Sequence, residues 1–170
     1  MELPKRKPNR LPYFDYSTPG AYFITICVQD RKCILGHIVG ASMARPPIVR
    51  LTEYGRIIES AVCEIPKHYP AITVDHFVVM PNHVHLLLQI NTDTEGRPMV
   101  TPPISTVVQQ LKGVVTKRIG YSIWQKLFHD HVIRDEKDYL KIWAYIDSNP
   151  ARWEEDCFYE ETVGASFACP

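Results

Sequence analysis

The residues whose types and spacing most directly suggest chemistry are two histidines, His83 and His85, separated by one valine. In a β-strand, residues two positions apart project from the same face, so the two imidazoles of such a pair lie side by side. The preceding Pro81 and Asn82 are typical of a turn, and the apolar residues that follow indicate a buried strand. Two neutral imidazoles form a metal site once a third ligand joins them. The alternative is a pair of ordinary half-buried histidines with hydrogen-bond partners.

The last predicted helix offers a complement to the histidines. Tyr145 and Asn149 are four positions apart and therefore share one helix face. The side-chain oxygen of Asn149 is a candidate third ligand, and Tyr145 is a candidate nucleophile at the edge of the same site. Spacing alone leaves the alternatives open, because a tyrosine at the rim of a core is common and an asparagine before Pro150 often only ends a helix.

Together these four residues predict metal-assisted chemistry on a phosphodiester. An amide oxygen beside two imidazoles is a mixed donor set that accepts Mg²⁺ or Mn²⁺. Such an ion polarises a phosphodiester as a Lewis acid, and a nearby cation favours the phenolate of Tyr145. Attack on phosphorus gives a phosphotyrosine ester, from which a 3′-hydroxyl can later regenerate a continuous strand. We therefore expect a divalent metal cofactor and DNA cleavage and joining without an external energy source.

Further residues are candidates for contacts with DNA. His129 and His131 would share a strand face around an acidic residue, with Arg134 close by, and we predict a contribution to the site or to DNA contacts. The alternative for this pair is a structural role. The remaining candidates are cations of the N-terminal segment and of one helix, for which a solvated surface is the alternative. They are Lys5, Arg6, Lys7, Arg10, Lys112, Lys117 and Arg118.

These residues need elements to position them, and the hydrophobic pattern supplies an order of strand, helix, hairpin, helix, strand and helix. The predicted elements are a strand over 21–28, a helix from the Thr52 cap to Pro66, a hairpin of strands 72–80 and 83–90, a helix over 104–119, a strand over 128–133 and a helix from Asp135 to Asn149. This order indicates an α+β fold with a mostly antiparallel sheet. We expect the helices on one side of that sheet.

Composition limits the class of protein but does not identify a partner. The chain has 170 residues, 45% of them hydrophobic and 22% charged, which is typical of one compact domain. Its formal net charge is zero, so any DNA binding must come from local groups rather than from overall charge. The N-terminus lacks the apolar stretch of a secretion signal and no apolar run is long enough for a membrane span, so we expect a cytoplasmic protein with no membrane partner.

With these residues identified, the chain resembles the single-tyrosine HUH transposases, and among them the REP-associated tyrosine transposases. The resemblance covers most of the chain and rests on several blocks taken together. These blocks are Arg10-Leu11-Pro12 with Asp15-Tyr16, Gly20 to Thr25, Met80 to His85, Trp124-Gln125 with Phe128, Ile133 to Glu136, and Tyr145 to Pro150. The histidine, hydrophobe, histidine pattern that gives the superfamily its name is matched by His83-Val84-His85.

The resemblance implies a ferredoxin-like α+β domain with a central antiparallel sheet that cleaves single-stranded DNA at hairpin-forming repeats through a 5′-phosphotyrosine. It implies that Tyr145 is the nucleophile, that His83 and His85 are metal ligands, and that Asn149 completes the metal site. Many insertion-sequence members have glutamine at the last position, and asparagine is more like the REP-associated branch. Some relatives are dimers that exchange the tyrosine helix and others act as monomers, so both a monomer and a homodimer stay open.

We divide the chain into a basic N-terminal arm over 1–20, a transposase domain over 21–150 and a short, acidic C-terminal tail over 151–170. The tail has acidic residues where basic ones would favour DNA. Three other functions compete with a transposase. One is a replication initiator or relaxase with the same chemistry, for which we expect additional domains. The others are a hairpin-DNA-binding protein that keeps the fold without activity, and a structural or small-molecule domain in which the histidines are core residues.

Overall fold

A computed structural model of the chain describes residues 14–40 and 46–159. The predicted N-terminal cations Lys5, Arg6, Lys7 and Arg10 lie outside the described residues, as does the predicted tail from residue 160 onwards. Among the described residues, no helix combines the length and the apolar character needed to cross a membrane.

A four-stranded sheet forms the centre of the molecule. Its strands are β1 (Gly20–Cys27), β4 (Ile72–Val79), β5 (His83–Ile90) and β6 (His129–Val132), in the spatial order β4-β5-β1-β6. All three neighbouring pairs are antiparallel. Two further strands, β2 (Gly36–Val39) and β3 (Ile48–Leu51), pair antiparallel in a small separate sheet.

The four helices follow from local signals in the sequence. They are α1 (Glu53–Cys63), α2 (Ile65–His68), α3 (Ile104–Ile119) and α4 (Glu136–Ser148). The Thr52 side chain caps α1 by accepting a hydrogen bond from Gly55 N, and Asp135 caps α4 by accepting one from Asp138 N. Gly120, with a φ of 97°, ends α3 in the left-handed conformation that glycine adopts without strain.

The larger core lies between one face of the sheet and helices α1, α2 and α3. On this face, alternate residues of β1 and β5 are buried, among them Ile24, Ile26, Val84 and Leu86. They pack with the apolar residues of the three helices, which are Ile58, Ala61, Val62, Ile65, Ile104, Val107, Val108, Leu111 and Val115. Contact with this core explains why apolar residues recur at helical spacing in α1 and α3.

The expectation that all helices lie on one side of the sheet was wrong. Helix α4 packs on the opposite face, where Ile146 contacts a smaller cluster around Ala21 and Leu87. Strand β5 is apolar and buried on both faces, so each of its faces needs a covering layer of helices. His83 and His85 belong to the face that α4 covers, since they alternate with Val84 and Leu86 along the strand.

The order of elements around the sheet is that of a ferredoxin-like fold. If the small β2–β3 sheet and the short helix α2 are left out, the order along the chain is β1, α1, β4, β5, α3, β6. The connections β1-α1-β4 and β5-α3-β6 place α1 and α3 side by side on one face of the sheet. Helix α4 then follows as an addition on the open face. The predicted α+β, ferredoxin-like fold class is confirmed, and the central strands β1 and β5 are the rigid support for the histidine pair.

Candidate active site

Strand β5 brings the two histidines together in the interior. The Nε2 atoms of His83 and His85 are 2.9 Å apart, and both side chains are fully buried. Their position at the start of β5 follows from the tight connection 80–82, where Met80 N donates to His83 O. The two imidazoles therefore lie side by side on one face of the strand, as their spacing predicts.

Each imidazole has a hydrogen-bond partner on the side away from the other. His83 Nδ1 lies 2.9 Å from Asn82 Oδ1, and His85 Nδ1 lies 2.9 Å from Thr25 Oγ1. Thr25 is directly opposite His85 in the β1–β5 ladder, so the strand register itself supplies this contact. Neither Thr25 nor Asn82 was among the site residues predicted from the sequence.

Burial keeps both histidines neutral. Desolvation lowers the pKa of His83 to about 3, with a smaller effect in the same direction from the charge of Arg31. Desolvation also lowers the pKa of His85 well below its usual value, and the neighbouring His83 acts in the same direction. Neutral imidazoles are the form that binds metal ions, so the environment of the pair is suited to that role.

Helix α4 brings Tyr145 against the histidines. Its ring lies 5.2 Å from the His85 ring and 6.0 Å from Phe23, in edge-on arrangements. Its hydroxyl donates to Asp156 Oδ2 at 3.4 Å. Burial raises the pKa of Tyr145 to about 12, and the negative charge of Asp156 acts in the same direction. In the absence of a nearby cation, this environment therefore opposes the phenolate that the sequence argument required.

Asn149 is buried one turn later, at the end of α4. Its Nδ2 donates to Asp156 Oδ2 at 2.8 Å, and because a carboxylate only accepts, this bond fixes the orientation of the amide. The amide oxygen is buried and has no hydrogen-bond partner among the residues that the structure describes. An unsatisfied buried acceptor costs roughly 1–3 kcal/mol, so this oxygen is available to a cation or to a hydrogen-bond donor.

Asp156 is a further site residue that was not predicted from the sequence. Potential ligand atoms of His83, His85 and Asp156 lie within 4.8 Å of one another, the only such group found among the described residues. The chain returns to the site because a 3₁₀ helix, Asn149–Glu155, continues directly from α4. The sequence signal was present in the acidic stretch around residue 156, but Pro150 indicated the end of the ordered helix.

The donor set fits a divalent cation. Two neutral imidazoles and a carboxylate oxygen are gathered at one site, and Asn149, whose amide oxygen is buried, is hydrogen-bonded to the same carboxylate. Oxygen donors combined with imidazoles accept Mg²⁺ and Mn²⁺, and the histidine pair also suits other transition metals. The His83-His85-Asp156 cluster is therefore compatible with a divalent metal.

A cavity of about 210 Å³ opens beside this cluster. Its lining combines α4 with the 3₁₀ helix, and consists of Tyr145, Ser148, Asn149, Arg152, Glu155, Asp156 and Cys157. Arg152 pairs with Glu155 at 2.9 Å, and both side chains are about two-thirds exposed. Exposed ion pairs contribute roughly 0–1 kcal/mol, so Glu155 holds the Arg152 guanidinium only weakly. Arg152 is a second cavity residue that the sequence argument did not identify.

Three of the predicted DNA-contact residues lie on α3, in the layer opposite the site. Lys112 Nζ donates to the carbonyl oxygens of residues 125 and 127, at 3.0 and 3.2 Å, and therefore holds the segment before β6. Arg118 forms a 2.6 Å ion pair with Glu64, and Lys117 is exposed at the end of the helix. The structure thus does not bring these cations next to Tyr145.

The β6 candidates lie on the same face of the sheet as the site. His129 and His131 are opposite Thr25 and Phe23 in the β1–β6 ladder. The ring of His129 lies 6.4 Å from that of Phe158, and His131 Nε2 is 2.7 Å from Asp138 on α4. His129, His131 and Arg134 are all exposed, so this edge of the sheet is open to a ligand.

Comparisons with known proteins find one relative without an assigned function and two that are described as REP-associated tyrosine transposases. An uncharacterised protein of Haemophilus influenzae is 32% identical over 91% of this chain and 93% of its own length. A second protein of that organism, provisionally described as a REP-associated tyrosine transposase, is 29% identical over 81% of this chain and 74% of its own length. The REP-associated tyrosine transposase of Escherichia coli is 25% identical over 81% of this chain and 70% of its own length. No family model matches the chain.

Among solved structures, a REP-associated tyrosine transposase bound to a REP hairpin is similar in fold. It superposes with a TM-score of 0.59 and 22% sequence identity, over 90% of this chain and 74% of that chain. At this level of identity the similarity supports the ferredoxin-like arrangement of the sheet and its helices.

Proposed function

Since the chain belongs to the REP-associated tyrosine transposases, we propose that it cleaves and rejoins single-stranded DNA at hairpin-forming repeats. The observation that carries this proposal is the contact of Tyr145 with the buried histidine pair, through the His85 ring and through the shared carboxylate of Asp156. A tyrosine with an ordinary structural role has no need of a neutral, buried pair of imidazoles beside it.

The proposed metal ligands are His83, His85 and Asn149, to which the carboxylate of Asp156 is added. A divalent cation held there, Mg²⁺ or Mn²⁺, would supply Lewis-acid polarisation of the scissile phosphodiester. Both imidazoles are kept neutral by burial and present Nε2 to one position. Asp156 also fixes the Asn149 amide so that its oxygen remains available.

In the proposed reaction, the Tyr145 oxygen forms a bond to phosphorus while the bond from phosphorus to the 3′-oxygen breaks. The products are a 5′-phosphotyrosine and a free 3′-hydroxyl. Asp156, to whose Oδ2 the Tyr145 hydroxyl already donates, takes the phenol proton, and the departing 3′-oxygen takes up a proton to become the hydroxyl. Arg152 lines the same cavity and is the cation available to the phosphate oxygens.

The ester between Tyr145 and DNA retains the energy of the original bond, so attack by a 3′-hydroxyl reverses the reaction and joins strands. Phe23 and His85 pack against the tyrosine ring and keep its oxygen at the cavity throughout. Because Asp156 opposes ionisation of Tyr145, the reaction depends on positive charge entering the cluster. We therefore expect cleavage to be lost when divalent ions are removed.

For the DNA strand, we propose a path along the β6 edge. His129 and His131 are exposed on the side of the sheet that also holds the tyrosine, and Arg134 is exposed just after β6. Lys112 and Arg118 already bind groups of the protein, so their contribution to DNA affinity is expected to be small. We expect the protein to act in the cytoplasm, as a monomer or a homodimer.

The test is incubation of the protein with labelled single-stranded repeat hairpins and Mn²⁺ or Mg²⁺, followed by denaturing electrophoresis. We expect a covalent protein–DNA band that is absent in the Tyr145→Phe variant and in the presence of chelator. Tyr139→Phe is the matched control, because Tyr139 is also on α4 but its hydroxyl donates to Asp75. A covalent band in the Tyr145→Phe protein would refute the proposal, and binding without cleavage at any ion concentration would favour a non-catalytic DNA-binding protein.

A further inference from the structure

The outer hydrogen bonds of the two histidines determine where their protons lie. Asn82 donates through Nδ2 to two carbonyl oxygens, those of Phe158 at 2.8 Å and Arg31 at 3.1 Å. Carbonyl oxygens only accept, so the amide nitrogen must face them and Oδ1 must face His83. Because Oδ1 also only accepts, the 2.9 Å contact requires a proton on His83 Nδ1.

A neutral imidazole carries one proton, so His83 Nε2 has a lone pair whatever else is bound. This lone pair lies 2.9 Å from His85 Nε2. Without a cation between them, the short contact requires a proton on His85 Nε2. His85 Nδ1 is then an acceptor, and the Thr25 hydroxyl at 2.9 Å donates to it.

A cation bound by both imidazoles reverses this arrangement at His85 alone. Both Nε2 atoms then need lone pairs, so the His85 proton must be on Nδ1. Thr25 Oγ1 remains a suitable partner because a hydroxyl accepts as readily as it donates. The amide of Asn82 has no such freedom, since its Nδ2 faces two carbonyl oxygens, which only accept, and Oδ1 is therefore held toward His83.

We infer that Asn82 and Thr25 are positioning residues with different roles: Asn82 locks His83 in the Nδ1–H tautomer, and Thr25 lets His85 change tautomer when a divalent cation binds. This inference rests on the proposed metal site but not on DNA cleavage. It predicts that the proton of His85 moves from Nε2 to Nδ1 on cation binding while that of His83 stays in place. Asn82 also ties residue 158 to the histidines, which anchors the segment that carries Asp156.

The first test is side-chain nitrogen NMR of histidine-labelled protein, which distinguishes Nδ1–H from Nε2–H. Spectra of His83→Gln and His85→Gln identify the two residues among the seven histidines. We expect His83 to be Nδ1–H and His85 Nε2–H in the metal-free protein. With Zn²⁺ as a diamagnetic probe, both should be Nδ1–H. Finding His83 as Nε2–H, or His85 in one tautomer under both conditions, would overturn the inference.

The second test is Mn²⁺ affinity by calorimetry. Thr25→Val keeps the shape and strand preference of the side chain but removes the hydroxyl, and we expect a loss of roughly 10–100-fold. Thr25→Ser restores the hydroxyl and is expected to bind within about threefold of the natural protein. Equal affinity of Thr25→Val and the natural protein would contradict the inference.

These outcomes are separable from those of the DNA assay. A protein with the expected tautomers that never forms a covalent band contradicts the proposed function and leaves the roles of Asn82 and Thr25 intact. A protein that forms the band but has other tautomers contradicts only the inference.

Discussion

Replacing Asn149 by leucine tests whether a metal ion binds the buried amide oxygen of this residue. In the metal-free protein the substitution removes the bond from Nδ2 to Asp156, at 2.8 Å, which as a hydrogen bond to a charged group contributes roughly 1.5–3 kcal/mol. It also removes a buried oxygen without a partner, which costs roughly 1–3 kcal/mol. The two effects nearly cancel, so we expect metal-free stability within about 1 kcal/mol of the natural protein.

The effect of the substitution should appear only when metal is added. A ligand at one hundred times its Kd stabilises the folded state by about 2.7 kcal/mol. For a chain of this size, 1 kcal/mol shifts Tm by roughly 2–4 °C, so the natural protein should gain about 5–11 °C. If loss of the Asn149 oxygen weakens binding about 100-fold, the same Mn²⁺ concentration stabilises Asn149→Leu by about 0.4 kcal/mol, which is a shift of about 1–2 °C.

The assay is thermal unfolding of chelator-treated protein with and without Mn²⁺. Ser148→Ala is the matched control, because Ser148 lines the same cavity but is not part of the donor set, and it should keep the full shift. A full metal-induced shift in Asn149→Leu would refute the role of this residue. No shift in the natural protein at millimolar Mn²⁺ or Mg²⁺ would refute the metal site.

Three further outcomes follow from the structure. Because burial holds the pKa of His83 near 3, below the ordinary value of 6.5, its contribution to stability is present above about pH 6.5 and is lost as the pH falls. In urea unfolding, the free energy of unfolding should fall by about 2 kcal/mol between pH 6.5 and pH 5. His83→Gln should reduce this fall, and a substitution of the exposed His37 should leave it unchanged. Ile146→Ala should cost about 2–4 kcal/mol in the same assay, because Ile146 is the buried residue of α4, and a cost below 1 kcal/mol would show that α4 is held by other contacts. Lys112→Met should lower stability but leave the salt dependence of DNA binding unchanged, whereas a reduced salt dependence would place Lys112 on the DNA.

The elements that could be predicted from the sequence are those with strong local signals. Helix α3 has the predicted bounds because its apolar residues recur at helical spacing and Gly120 ends it. The β4–β5 hairpin was also predictable, since two apolar runs flank a turn segment. Strand β2 has only four residues and pairs with an equally short β3, so its periodicity was too brief to identify.

Within the site, the predictable part was the part with a regular local spacing. The pairs His83 with His85 and Tyr145 with Asn149 follow from strand and helix periods, and the structure brings them together. Thr25 could not be identified in this way, because its contact depends on the register of β1 against β5 and a threonine in a strand is ordinary. Whether these residues cleave DNA stays a prediction.

Asp156 was missed for a different physical reason. Proline removes a backbone donor and breaks a continuing α-helix, so Pro150 indicated that the ordered domain ends there. Proline is nevertheless favoured in the first turn of a new helix, and here it begins the 3₁₀ segment that returns the chain to the histidines. The predicted domain boundary at residue 150 therefore separates Asp156 from residues that it contacts.

The two halves of the site are supported to different degrees. His83 and His85 lie on a central strand, between β1 and β4, that is buried on both faces. Helix α4 fully buries Ile146 against one face of the sheet, and its other apolar residues there, Tyr139, Ile142 and Trp143, are only partly buried. Helix α4 is held in addition by polar contacts at its two ends, from Asp138 to His131 and from Asp147 to His76. Exposed pairs of this kind contribute little each, so the helix that carries Tyr145 is less firmly held than the ligands. Loosening α4 should therefore displace Tyr145 and Asn149 together, while His83 and His85 keep their places on β5.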